Sequence, residues 1–202
     1  MRLVILLCLS PVARSLSPLH AQQAQADSEI RLARSAAPAE VSARATILVL
    51  RDGKYVEGVK GTNGVTCYVS RSQPEAVEPE CFDAEAVETV MPIDILQTEL
   101  RMSGQGSADI DRIVAGKIAS GEFRLPRRPA MVYMMSAAQI LYTPDGRRVG
   151  AWKPHLMLYY PFMKATDLGL AKEGALISFQ NEGGANSAIV IPVADFIQPA
   201  AP

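Results

Sequence analysis

Histidine is almost missing from this 202-residue chain: there are two, and only His155 lies beyond residue 26. A relay of imidazoles or a histidine-rich metal site is therefore excluded. There is no HExxH pair and no CxxC pair, so metal-ligand spacing is absent as well. Scattered carboxylates such as Glu80 and Asp83 are the donors left, and neither a metal nor a cofactor is expected. The chain has no GxSxG, no phosphate-binding GxxxxGK[ST] and no GxGxxG. Gly104-Gln105-Gly106 is a bare GxG with no strand before it, and reads as a linker between helices. Basic runs are missing too. Arg127-Arg128 and Arg147-Arg148 are isolated pairs, and the net charge is −1. A concentrated cationic footprint is what phosphate backbones need, so nucleic acid is not an expected partner. No apolar stretch reaches the roughly 18 to 20 residues of a membrane span.

What the chain does have begins at its first residues. Met1-Arg2 is a short basic start, and residues 3–9 are continuously apolar. Small residues follow at Ala21 and at Ala24 and Ala26. This is the pattern of a secretory signal peptide over residues 1–26, cut after Ala21 or Ala26. Cys8 sits inside the apolar run without the small residues that precede a lipidated cysteine. Removal of residues 1–26 takes the net charge from −1 to −3, because two arginines and no acid leave with it. The expected localisation is periplasmic or secreted, with no membrane span after cleavage.

Residues 27–44 read as a flexible lead-in or a short helix, interrupted by Pro38. From residue 45 to 197 the pattern is one domain, followed by a loose tail over 198–202. Residues 46–50 (TILVL) form a β-branched run, Asp52-Gly53 a hairpin turn, and residues 55–60 the returning strand. Gly61-Thr62-Asn63-Gly64 is a second turn, leading to a third strand over 65–70. These three make an antiparallel meander. In the third strand Cys67 and Val69 share one face, while Tyr68 and Ser70 share the other. Residues 71–80 read as a polar loop whose acids Glu75, Glu78 and Glu80 are solvated. Asp83 caps a short helical turn, and Pro92 opens a second helix carrying Ile93, Leu96 and Leu100. The clearest helix starts at Ser107, carries Ile110, Ile113, Val114 and Ile118 on one stripe, and ends at Gly121. Further strands cover 131–136, 156–160, 175–181 and 187–193. The fold class is α+β: an antiparallel sheet of about seven strands, with an inserted helical segment packed on one face.

Cys67 and Cys81 both lie beyond the signal, where an oxidising compartment favours a disulfide. Such a bridge tethers the polar loop to the third strand. The competing reading is a nucleophilic Cys67 with His155 as its base. His155 precedes the apolar residues 156–160 (LMLYY), where it serves either as a general base or as a hydrogen-bonded structural residue. The tyrosines, Trp152 and the methionines of the strands read as core, or as a face that accepts an apolar ligand.

Several short segments recur in one order: GTNGVTC from Gly61, Cys81-Phe82-Asp83, Tyr133-Met134, and Pro154-His155-Leu156-Met157. With these the chain resembles a family of uncharacterised exported bacterial proteins carrying GTNGxxC, C-x-D, YM and PH[LV]M. The resemblance implies bacterial export and one shared domain over roughly residues 61–193. It carries no activity. Asn63, Asp83 and His155 are the polar positions that match its segments, and they are the candidate site residues. The expected function is non-enzymatic binding of a small ligand or a protein partner. The alternatives are a hydrolase-like enzyme using His155 with Asp83 or Glu80, and a structural or interaction module of the cell envelope.

Overall fold

The computed structural model describes residues 18–143, 146–150, 152–170 and 178–201. The apolar start, Cys8, Pro144-Asp145, and residues 175–177 of the strand expected over 175–181 lie outside them.

The described chain is α+β, as its sequence pattern implies. One sheet has eight strands, in the order β2-β1-β3-β4-β5-β6-β8-β7. They are β1 (Thr46–Arg51), β2 (Lys54–Val59), β3 (Thr66–Ser70), β4 (Glu78–Phe82), β5 (Ala130–Met134), β6 (His155–Tyr159), β7 (Ser178–Gln180) and β8 (Ala188–Pro192). The helices are α1 (Pro18–Arg34), α2 (Ala39–Ser42), α3 (Ala84–Met102) and α4 (Ser107–Ala119). All strand pairs are antiparallel except β1 with β3.

The β1–β2 hairpin follows from Asp52 and Gly53, whose φ values of 50° and 76° put both central residues in the left-handed region. That backbone matches the right-handed twist of the strands it joins. The expected meander ends there. β3 does not pair with β2 but crosses to the other side of β1, where Thr46 faces Thr66 and Ile47 faces Cys67 in parallel register. The connection presses Gly61 against the start of β1. Its N–H donates to Thr46 Oγ1 at 3.1 Å, and the Thr62 N–H to the Arg44 carbonyl at 2.8 Å. Asn63 fixes the next corner, donating to the Val41 carbonyl at 2.7 Å and accepting from the Val65 N–H at 3.1 Å. A crossover closed by these contacts is what the two glycines serve, rather than a second hairpin.

The stretch read as a solvated loop ends early, and its last residues are β4. Glu75 is exposed, but Glu78 is only 6% exposed. Pro79 fits a strand in the middle of the sheet because β4 meets β5 only at Cys81 and Phe82. The Pro79 segment thus has a free side where its missing N–H breaks no ladder. A second correction concerns α3. The two helical pieces on either side of Pro92 form one helix, capped where Asp83 accepts from the Ala86 N–H at 2.8 Å. Burial of Ala86, Thr89, Ile93 and Thr98 keeps both halves of that helix on the sheet.

Alternation along β3 splits the core into two. On one face Cys67, Val69, Cys81 and Ile47 meet Ala33, Ala36 and Ala37 at and beyond the end of α1. On the other, Tyr68, Phe82, Val132, Met134 and Met157 meet α3. Helices therefore cover both faces of the sheet, where one was expected. The residues read as a lead-in hold the second half of α1 and all of α2, and the small alanines at and after the end of α1 allow close approach. α4 packs on the outer side of α3 through Ile110 and Val114 against Ile93. β6 is central, between β5 and β8, but only its Met157 is buried; Leu156 and Leu158 are half-exposed. Among the described residues no helix is long and apolar enough to cross a membrane.

Candidate functional site

The three sequence candidates are not gathered into one hydrogen-bonded group. Asn63 holds its own turn, and Asp83 caps α3. His155 opens β6, with Nδ1 2.8 Å from the Lys153 carbonyl and its ring edge-on to Trp152 at 6.1 Å. On β5, the strand between them, Asp83 bonds to Met131 while His155 pairs with Met134. Cys67 and Cys81 sit directly opposite each other on β3 and β4 and are joined as a disulfide. Both are fully buried. The bridge therefore clasps two neighbouring strands, and the nucleophilic Cys67 reading falls, because no free thiol remains.

A different group does converge, between β3, β4 and α3. Period-two alternation places Tyr68 and Ser70 of β3 on the α3 face, opposite Glu80 and Glu78 of β4. Asp94 reaches down from α3 and accepts from Tyr68 Oη and from Ser70 Oγ, each at 2.7 Å. Thr98, one helical turn along, sits 3.4 Å from Ser70 Oγ. Glu78 accepts from the Ser72 N–H at 2.7 Å and from its hydroxyl at 2.6 Å. Aromatic rings wall the group. Tyr55 and Tyr68 are 4.8 Å apart, and Tyr68 stacks on Phe82 at 5.1 Å.

Burial raises the proton affinity of all three carboxyls. Glu80 is pushed well above the usual carboxylate range by desolvation first, then by the charges of Asp94 and Glu78. Asp94 rises through desolvation, opposed by its two hydroxyl donors. Glu78 rises for the same reason, opposed by Ser72. Tyr68 and Tyr159 are raised as well, again mainly by burial.

Asp94 also lines a cleft of about 90 Å³ between α3 and the rim of β6, β7 and β8. Val90, Ile93, Leu125 and Pro126 form its apolar walls, while Gln97, Tyr159 and Asn186 add polar edges. Tyr159 Oη has a thioether for a partner, Met157 Sδ at 3.7 Å. A larger groove of about 480 Å³ runs between α1 and β1. Its floor residue Glu29 is already committed, to the Leu50 N–H at 2.8 Å and to Arg71 at 3.2 Å. Among the described residues no cluster of three or more metal-ligating side chains occurs. No family model, curated protein or solved structure matches the chain.

Of this group only Glu80 was singled out by the sequence, as a possible partner for His155. Asp94 had one legible signal: an acid beside Ile93 on the stripe of a helix read as apolar. Glu78 and Glu80 had another, since their spacing of two matches a strand that ends in Cys81 and Phe82.

Proposed function

We propose that the protein is an exported binding domain that takes a small hydrogen-bonding ligand in the cleft beside Asp94. One observation carries this reading: a concave cleft, lined about equally by apolar and polar groups, in which one of the polar groups is a carboxylate with raised proton affinity. Such a combination is the usual mark of a ligand site. The volume, about 90 Å³, is well below the roughly 300 Å³ at which drug-sized pockets begin. The cleft suits a compact ligand or the head of a longer one. Asp94, Tyr159, Gln97 and Asn186 supply acceptors and donors beside the apolar side chains of Val90, Ile93, Leu125 and Pro126. Export is supported by the N-terminal basic and apolar pattern and by the disulfide, which belongs to oxidising compartments. Cleavage after Ala21 leaves the buried Ala26, Glu29, Ala33, Ala36 and Ala37 in place, and cleavage after Ala26 removes only the first of these.

Native mass spectrometry of the protein purified from its source tests the ligand. Wild type is expected to carry a small adduct, and Ala185→Trp, which fills the cleft from its rim, to lose it. Wild type that arrives bare, or an adduct that survives Ala185→Trp, overturns the assignment.

A second reading, docking of a protein partner, has its own observation. Phe162 adopts φ 63° and is 59% exposed, beside exposed Tyr160 and Leu168. A bulky residue in the left-handed region costs on the order of 1 kcal/mol or more, and burial of this ring within its own fold returns little. Phe162→Gly is expected to leave the denaturation midpoint unchanged or raised, by up to about 1 kcal/mol in stability. A clear loss of stability would show that the ring is a packing residue of the fold, and the docking reading would go.

A further inference from the structure

We propose that Glu78, Glu80 and Asp94 form a proton-held lock between β4 and α3, which seats the helix while a proton is shared among them and loosens as the pH rises. The geometry carries it. Three carboxyls from two elements share one layer, Glu78 buried and Glu80 and Asp94 half-buried, and none of them joins an ion pair among the described residues. The nearest cations are occupied or remote. Arg71, at the end of β3, gives its guanidinium to Glu29 at 3.2 Å and to the Ala76 carbonyl at 2.6 Å. Arg101 of α3 acts on Asp94 and Glu78 only through space. The other titratable groups facing the layer are Tyr55 of β2, Tyr68 of β3 and Tyr159 of β6, and phenols carry no charge at neutral pH.

The three carboxyls differ in what holds their charge. Asp94 has two hydroxyl donors and Glu78 has two donors from Ser72, so both are partly stabilised as anions. Among the described residues Glu80 has no hydrogen-bond donor and faces two like charges, so it keeps a proton longest. Three anions without a cation partner, held close together and partly out of water, repel one another, and a bound proton relieves that repulsion. Once Glu80 ionises, it repels Asp94 across the β4–α3 seam. Asp94 lines the cleft, yet the lock stands whether or not a ligand binds there.

The sign follows from proton counting. With raised carboxyl affinities, the folded state holds more protons than the unfolded chain above pH of about 4.3, the ordinary value for glutamate. Stability then falls as pH rises through the window from that value up to the folded-state affinities. Half-buried Glu85 runs the other way, because the Arg127 N–H and Arg128 hold it low, and its contribution fades only in more acid solution.

Thermal unfolding of the purified full chain between pH 5 and pH 8 is the test. The midpoint of wild type is expected to rise on acidification by about 3 to 5 °C per pH unit for each proton taken up. Glu80→Gln is expected to flatten that slope and to exceed wild type at pH 8. Hydrogen exchange at pH 8 should then show α3 amides better protected in the variant than in wild type. A wild-type midpoint that is flat from pH 8 to pH 5, or an unaltered slope in Glu80→Gln, overturns the lock. Should Glu80→Gln not fold, Asp94→Asn keeps an acceptor for both hydroxyls and is expected to reduce the slope, because Glu80 then loses one of the two charges that raise it; an unchanged slope there overturns the lock equally.

Discussion

Gly61→Ala is expected to destabilise the protein by about 3 kcal/mol or more, a large share of the roughly 5 to 15 kcal/mol that holds a domain together. The reason is contact and not conformational freedom. A Cβ at Gly61 would lie 2.1 Å from the Thr46 nitrogen and 2.4 Å from the Ala45 carbonyl carbon. Both are backbone atoms at the start of β1, so no flexible side chain can swing aside. Relief requires the crossover to lift away from β1, which would break the Gly61 bond to Thr46 and disturb the parallel β1–β3 register. Gly116→Ala is the matched control. Gly116 lies inside α4 with nothing within 4 Å of its added Cβ. There alanine is expected to stabilise by about 0.5 to 1 kcal/mol, through backbone entropy and helix propensity. Urea denaturation of the two variants separates the effects. A Gly61→Ala midpoint equal to that of wild type would mean the crossover does not pack against β1 as described.

Replacing Cys67 and Cys81 together by alanine is expected to cost about 3 kcal/mol, the chain-entropy value for a ring of about 15 residues. The loss of two buried sulfurs from the α1 face adds to it. Both sulfurs lie beneath Ala33, and Cys81 Sγ sits 3.6 Å from the Ala33 carbonyl. Reductant is therefore expected to leave the native bridge intact and to open it only in denaturant. Two measurements check this. The intact mass under non-reducing conditions should fall two hydrogens short of the free-dithiol value. Thiol labelling should be negligible in native buffer and complete in denaturant with reductant. Two free thiols in the native protein would remove the clasp and return Cys67 to the list of nucleophiles.

The pH response and these two variants probe different parts of one sheet. Gly61 guards the β1–β3 junction, the disulfide the β3–β4 pair on the α1 face, and the carboxyl layer the same pair on the α3 face. Alternation along β3 and β4 is what sends cysteines one way and carboxyls the other. A single-residue slip of β4 would turn its acids toward α1 and send Cys81 to the α3 face, away from Cys67, so that the bridge could not form.

Local chemistry was legible wherever one or two residues dictate the backbone. Asp52-Gly53 marks a hairpin because both residues tolerate positive φ. Asp83 marks a helix start because its carboxylate satisfies an otherwise unpaired N–H. The two faces of β3, the apolar stripe of α4 and the pairing of Cys67 with Cys81 follow from equally short-range or compositional rules. What depended on distant partners was not legible. β4 reads as a loop because Glu-Pro-Glu is a poor strand, and it becomes one only because β3 lies beside it and β5 leaves the proline free. The parallel pairing of β1 with β3 depends on a crossover whose closeness shows in coordinates and not in a turn motif. α1 looks like a polar lead-in, since its packing surface is alanine, and alanine declares nothing until a sheet is there to meet it.

The GTNGVTC stretch and Cys81, read as a turn and a tethered loop, became in three dimensions a crossover against β1 and a bridge between two strands. Sequence by itself determined the α+β class, the disulfide pair and the β1–β2 hairpin, because propensity, parity and compartment chemistry act over a few residues. Only the tertiary structure decided where charge is buried. It set Asp94 of α3 over Glu78 and Glu80 of β4, since the cost of unpaired carboxyls arises only when distant elements bring them together and partly out of water.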